Sequence, residues 1–270
     1  MRSISSLASI GIIVTGLVAA FPPRAVMAQQ TQSRLFEITK SKKLHVCMYP
    51  LYYAISFRDP KTNELKGLDI DLAKELAKDL GAQLQFVESG FGTFIADLQA
   101  NKCEIGMFGL GATLKRAQAV EFSKPYMLAS VYAVTKKDGK IKTWSDIDKP
   151  GVKVAVLLGS YIENVAKDTL KQATIVSIAP PATREADLSA GRVDAILVDY
   201  PTVLRAKQEF NWAASISPPE RLGSTLVAYA VQPGDQIWLN YINLFVDTIK
   251  MDGRLAEVAK KYDLEGNIAP

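Results

Sequence analysis

Gly109-Leu-Gly-Ala-Thr113-Leu-Lys-Arg116-Ala-Gln-Ala-Val-Glu-Phe-Ser-Lys-Pro-Tyr126 is the stretch from which the rest of the chain can be placed. It follows an apolar run, Glu104-Ile-Gly-Met-Phe108, that reads as a strand. Two glycines open the loop, Thr113 reads as a helix N-cap, and Arg116 projects from the first turn. Backbone N–H groups at a helix N-terminus attract an anion. A guanidinium adds a bidentate clamp. The spacing therefore predicts a carboxylate site at the carboxyl end of a strand. The competing use of Arg116 is a surface ion pair with Glu121.

Working outward, apolar strands alternate with amphipathic helices. Upstream, Leu44–Tyr49 and Leu84–Val87 read as strands, Asp69–Leu80 as a helix closed by Gly81, and Phe94–Asn101 as a short helix. Downstream the pattern restarts with strand Val152–Leu157, helix Tyr161–Leu170, strand Thr174–Ile178, helix Thr183–Ala190 and strand Val193–Val198. Two C-terminal helices follow, Asp235–Met251 and Gly253–Tyr262. This alternation predicts parallel, doubly wound sheets. The extended runs Val131–Thr135 and Thr225–Val231 flank the second unit and read as paired crossings. The expectation is an α/β protein of two doubly wound lobes joined by a two-strand hinge. Lobe 1 takes 29–131 plus 225–270, and lobe 2 is the inserted 132–224. Ligands of open α/β sheets lie beyond the carboxyl ends of the strands, so the lobes face each other across a cleft.

Residues 1–28 read as an export signal, with Arg2, an uncharged apolar run Leu7–Ala20 and the small-residue site Val26-Met27-Ala28. The run falls short of the roughly 20 residues a membrane span needs. Removing 28 of 270 residues leaves 242, with 30 basic against 28 acidic residues once Arg2 and Arg24 are gone. That balance gives no indication of nucleic acid or an anionic membrane as partner. A soluble periplasmic monomer is expected. His45 is the sole histidine, so a histidine-based metal site or a Ser-His-Asp triad cannot be assembled, and neither metal nor cofactor is expected. Export permits a disulfide, but Cys47 and Cys103 are read as two separate buried thiols.

Candidate ligand contacts gather at the predicted cleft edge. Asp199 ends the strand Val193–Val198, where it either faces the cleft or caps the helix after Pro201. Arg116 and Asp199 on facing lobes form a clamp for a zwitterion, arginine for the carboxylate and aspartate for the ammonium. Gly159-Ser160-Tyr161 opens a helix whose N–H groups can add to the anion site. Tyr52 and Phe91 follow strand ends and can sandwich a planar or apolar ligand part. Each of these also has an ordinary structural use, as a turn or a core aromatic. Asp69 and Asp71 suit a helix start and read as structural.

Gly67-Leu-Asp69-Ile-Asp71-Leu-Ala resembles a G-F-D-x-D-L-A segment, and Thr113-Leu-Lys-Arg116 with Val120-Glu-Phe-Ser-Lys-Pro-Tyr126 resembles T-x-x-R…V-x-F-S-x-P-Y. Gly191-Arg-Val-Asp-Ala-Ile-Leu-Val-Asp199 resembles G-R-x-D-A-x-x-x-D. These are motifs of the extracellular solute-binding proteins of polar amino-acid ABC importers, and the resemblance covers nearly all of the mature chain. It implies the two-lobed type II periplasmic binding protein fold, closure around one small ligand, and a membrane permease as partner. It places the α-carboxylate on Arg116 and the α-ammonium on Asp199. Gly109 and Gly111 stand where many members carry serine or threonine, Tyr161 where threonine is usual, Tyr49 in place of an acid seen in binders of basic amino acids, and Ser56 in place of a common glutamate. A non-basic ligand is therefore expected. The same fold also includes periplasmic cyclohexadienyl dehydratases, for which Glu163 is the candidate general acid. A sensory role at a membrane receptor is a third reading.

Overall fold

The structure, a computed structural model, describes residues 33–220 and 222–270; the export-signal reading of 1–28 lies outside them. In chain order the first part contains α1 (Arg34–Ser41), β1 (Lys43–Met48), β2 (Leu51–Tyr52), β3 (Ser56–Arg58), β4 (Leu65–Lys66), α2 (Leu68–Leu80), β5 (Gln83–Glu88), α3 (Phe94–Gln99), β6 (Ile105–Gly106) and β7 (Glu121–Phe122). The middle contains β8 (Met127–Ala129), β9 (Tyr132–Lys136), β10 (Lys153–Leu157), α4 (Tyr161–Thr169), β11 (Thr174–Ile178), α5 (Arg184–Ser189), β12 (Ala195–Val198), α6 (Tyr200–Glu209) and β13 (Ala213–Ile216). The chain closes with β14 (Thr225–Val227), β15 (Ala230–Val231), α7 (Gln236–Met251) and α8 (Arg254–Lys261).

Helix α2 shows how the sequence pattern becomes structure. Leu68, Leu72, Leu76 and Leu80 recur every fourth residue and are all buried. Each contributes about 1.5–3 kcal/mol relative to exposure. Gly81 ends the helix in the left-handed conformation, its N–H reaching the carbonyls of Ala77 and Lys78.

Two five-stranded sheets carry the molecule, in the orders β5-β1-β6-β15-β7 and β11-β10-β12-β9-β13. Their leading strands are parallel: β1 with β5 and β6, and β10 with β11 and β12. Strands β15 and β9 run against the rest of their sheets, β13 pairing antiparallel to β9, so each sheet is mixed rather than wholly parallel. The reason is connectivity. The chain enters the second sheet through β9 and returns to the first through β15, without a crossover helix at either point.

Outside these sheets β2-β3-β4 form a small sheet and β8 pairs with β14 as a two-stranded ribbon, Met127–Val227 and Ala129–Thr225 at its ends. This differs from the sequence reading, in which Val131–Thr135 formed the crossing. That run instead becomes β9 inside the second sheet, and Thr225–Val231 splits into β14 and β15. Tyr229, in the gap between them, is fully buried and stacks on Tyr126 at 4.4 Å.

The two cysteines are joined, which corrects the separate-thiol reading: Cys47 and Cys103 form a disulfide with Cα atoms 5.6 Å apart. Cys47 lies in β1 opposite Gly106 of β6, and Cys103 sits in the turn leading into β6. Strand pairing thus brings together two positions 56 residues apart in sequence, well inside the Cα range a disulfide requires.

Candidate functional site

The carboxyl ends of the two sheets meet around a cavity of about 140 Å³. Tyr49, Tyr52, Phe91 and Gly109 form the first-lobe wall, and Ser160, Tyr161, Arg184, Glu185 and Asp199 the second. A wider apolar groove of about 740 Å³ adjoins it, sharing Tyr49, Leu51, Phe91 and Leu157.

Asp199 both caps a helix and faces the cavity. Its Oδ1 caps α6, accepting from the Thr202 amide at 3.3 Å and the Thr202 hydroxyl at 2.8 Å. Its Oδ2 accepts from the Tyr52 hydroxyl of the facing lobe. The carboxylate is therefore shared between a helix cap and the cavity. Tyr52 is half-buried, and burial of its hydroxyl followed by the Asp199 charge pushes its phenol well above the usual range, so it stays a donor. The Tyr52 ring stands edge-on to Phe91 at 5.7 Å, and Tyr49 does the same at 5.4 Å. The backbone oxygen of Tyr49 is held by buried Ser56 at 2.8 Å.

Arg116 lies just behind this cavity. It is 8% exposed and stacks over Phe94 at 5.2 Å. One guanidinium arm donates to the Gly111 carbonyl and the other to the Gly159 carbonyl, both at 2.8 Å, so it spans the two lobes. Burial pulls its pKa down to about 10, still charged at neutral pH. It does not pair with Glu121. The Thr113 hydroxyl accepts from the Arg116 amide at 3.3 Å, but the helix is only the 3-10 turn Arg116–Gln118. That turn is too short for the helix-end anion site that the sequence suggested.

Tyr161 separates Arg116 from the open space. Its ring lies over Gly111, with Cδ1 only 3.0 Å from where a side chain at Gly111 would begin. Gly111 and Arg116 thus stand outside the cavity wall, and the space that a serine or threonine would take at 111 belongs to the tyrosine. The buried Tyr161 hydroxyl has no hydrogen-bond partner among the described residues and feels the charges of both Asp199 and Arg116. Gly109, at φ +64°, meets the Tyr52 ring, its virtual Cβ 2.6 Å from Cε1. Its amide donates to fully buried Asp69 at 2.6 Å, which fixes the loop from beneath. Ser160 caps α4, accepting from the Glu163 amide at 3.2 Å. Gly159 packs onto the first lobe's backbone, where an added Cβ would sit 2.8 Å from Gly92 Cα.

Glu163 is not placed as a general acid. It receives Lys167, Ser177 and the Gly159 amide, each at 2.7 Å. These bonds outweigh burial and hold its pKa below the ordinary carboxylate value. An acid catalyst needs the opposite shift. Sequence reading missed Arg184 and Glu185, which line the cavity from the start of α5. Their position at the end of the loop that follows β11 was the available signal, since loops at strand carboxyl ends carry ligand contacts.

The family model for bacterial extracellular solute-binding proteins, family 3, matches residues 44–265. The chain belongs to this family. It is 29% identical over 231 residues to a probable histidine-binding protein of Campylobacter jejuni, covering 85% of this chain and 88% of that one. It is 26% identical over 247 residues to a cyclohexadienyl dehydratase of Pseudomonas aeruginosa, covering 89% and 91%. Among solved structures, an ancestral amino acid-binding protein, AncCDT-1, described as a precursor of cyclohexadienyl dehydratase, superposes with TM-score 0.79 at 34% identity, covering 85% of this chain and 99% of that one. Topology and likeness agree on the two-lobed α/β fold, and the family-model match carries the family assignment. Most of the similar proteins are binding proteins rather than enzymes.

Proposed function

We propose that the chain is a periplasmic receptor that closes on one amino acid or similar zwitterion and delivers it, as a monomer, to the membrane permease of an ABC importer. One observation carries this reading. Asp199 and Arg116 are buried, 6% and 8% exposed, on facing lobes, and neither enters a salt bridge among the described residues. Buried charge without a counter-charge is costly. An α-amino acid supplies an ammonium for Asp199 Oδ2 and a carboxylate for Arg116 in one molecule. Tyr161 lies between the cavity and Arg116, so the carboxylate meets the guanidinium once the Tyr161 ring has moved off Gly111, and the Tyr161 hydroxyl, unpartnered among the described residues, adds a donor beside it. Ligand contacts from both lobes favour the closed arrangement, and the β8–β14 ribbon is the element about which the lobes open. Likeness to histidine-, arginine-, cystine- and glutamine-binding proteins supports an amino-acid cargo without naming it.

The test is thermal unfolding and calorimetric titration of ligand-stripped protein against the common amino acids. A ligand at 100 times its Kd adds about 2.7 kcal/mol, which is worth several degrees in a chain of this size. Arg116→Ala and Asp199→Asn are expected to lose the shift while remaining folded. Normal binding by both variants refutes the clamp.

A further inference from the structure

The cavity has a second polar end that the zwitterion clamp leaves unused. Arg184 begins α5 with its side chain 12% exposed. One guanidinium arm donates to the Leu197 carbonyl at 3.1 Å, two residues before Asp199, which anchors the group to the strand end. The other arm lies 3.9 Å from Glu185 Oε1, too far for a hydrogen bond. A guanidinium carries five N–H donors. Most of those on Arg184 therefore have no protein acceptor, although the residue lines the cavity. Across from it stands Tyr49, whose hydroxyl makes no hydrogen bond to protein among the described residues. Burial raises the phenol pKa of both Tyr49 and Tyr52, and the nearby Arg184 charge opposes that rise at each.

We infer that Arg184 receives a carboxylate at the far end of the bound ligand, so that the preferred cargo is an acidic amino acid or a like dicarboxylate zwitterion. The inference rests on the amino-acid reading of the site. With Glu185 set aside as a loose partner, charge count supports it. Two ligand carboxylates meet Arg116 and Arg184, and one ammonium meets Asp199. Guanidinium and carboxylate match as a two-bonded fork, a geometry that an amide matches only in part. Glu185 is the competing group. At 3.9 Å from Nη2 it is a loose partner that a ligand carboxylate on the open donors outcompetes. A cationic side chain would have to bind Glu185 while its charge faced Arg184.

The experiment measures Kd for L-glutamate, L-aspartate, L-glutamine, L-arginine and L-histidine in the wild type, Arg184→Met, Arg184→Lys and Glu185→Gln, with unfolding curves confirming that each variant is folded. The wild type is expected to favour an acidic ligand. Arg184→Met is expected to weaken it about 10- to 100-fold, the range for bonds to a charged group, with a much smaller change for glutamine. Arg184→Lys is expected to recover part of the loss, and Glu185→Gln to hold or tighten acidic binding. A wild-type preference for arginine or histidine that Glu185→Gln abolishes overturns the inference while leaving the amino-acid reading intact. So does equal loss of every ligand in Arg184→Met. Failure of the whole panel to bind overturns the amino-acid reading and the inference with it.

Discussion

Gly159→Ala is expected to weaken ligand binding by blocking lobe closure. The new Cβ would lie 2.8 Å from both Cα and N of Gly92 and 3.1 Å from the carbonyl carbon of Phe91. All three are backbone atoms of the facing lobe, so no side chain can swing aside. Ordinary contact begins near 3.4 Å, so the lobes must part by about 0.6 Å or more at this point. Forced overpacking of this kind costs about 1–3 kcal/mol. The cost falls on the closed form alone and converts to a roughly 5- to 150-fold rise in Kd. Parting the lobes also stretches the Arg116 bond to the Gly159 carbonyl. A second effect must be separated from the first. Gly159 has φ +77°, where a residue with a Cβ loses about 1–2 kcal/mol in open and closed forms alike. Gly191→Ala isolates that effect, because Gly191 has φ +70° and nothing within 4 Å of its virtual Cβ. Calorimetric Kd and Tm are measured for both variants. Both are expected to melt early, and Gly159→Ala alone to bind weakly. Unchanged affinity in folded Gly159→Ala would refute closure through this contact.

Three further outcomes are expected. Replacing Cys47 and Cys103 together by serine removes a link that closes 56 residues, which by chain entropy is worth about 4 kcal/mol; equal denaturation midpoints with and without reductant would contradict this. Asp69 has its pKa raised to about 7 by burial, against opposing bonds from Tyr126 and the Gly109 amide. Its folded value lies above its unfolded one, so its contribution is complete below about pH 4 and is lost as pH rises towards 7. Asp69→Asn is accordingly expected to flatten the fall of Tm between about pH 4 and 7, and an unchanged slope would assign that fall to other groups. Arg116→Lys keeps the charge but cannot fork to the Gly111 and Gly159 carbonyls. At least about a tenfold loss of affinity is expected in titration, and full retention would mean that charge alone suffices.

Much of the fold could be read before the structure, because the reading rested on periodicity. The α2 leucines at every fourth position and the apolar run of β1 can each satisfy their burial in essentially one way. The Arg116 turn and Asp199 could be found because their motifs place them at strand ends. What escaped depends on contacts between distant residues. The Cys47–Cys103 pairing is set by the register of β1 against β6. The loss of open space at Arg116 arises because Tyr161, on the other lobe, occupies the room above Gly111. The crossing ribbon falls at β8 and β14, with Tyr229 buried between β14 and β15, and the local sequence carries no mark of either. Arg184 and Glu185 were passed over because arginine and glutamate in the first turn of a helix look like ordinary solvated residues until the opposite wall is known.

The division of the Asp199 carboxylate bears on how such a receptor changes cargo over evolutionary time. One oxygen anchors the start of α6 and the other faces the cavity. A cap lost to alanine costs about 1 kcal/mol whatever the ligand. Drift towards a cargo without an ammonium therefore carries a folding penalty at its first step, unless the change is to asparagine, which keeps the cap and gives up the charge. Arg184 has no comparable structural duty beyond one carbonyl contact. Lineages descending from a chain built this way are expected to conserve the residue at 199 and to vary the one at 184, diversifying at the ligand's far end while its amino end stays constant.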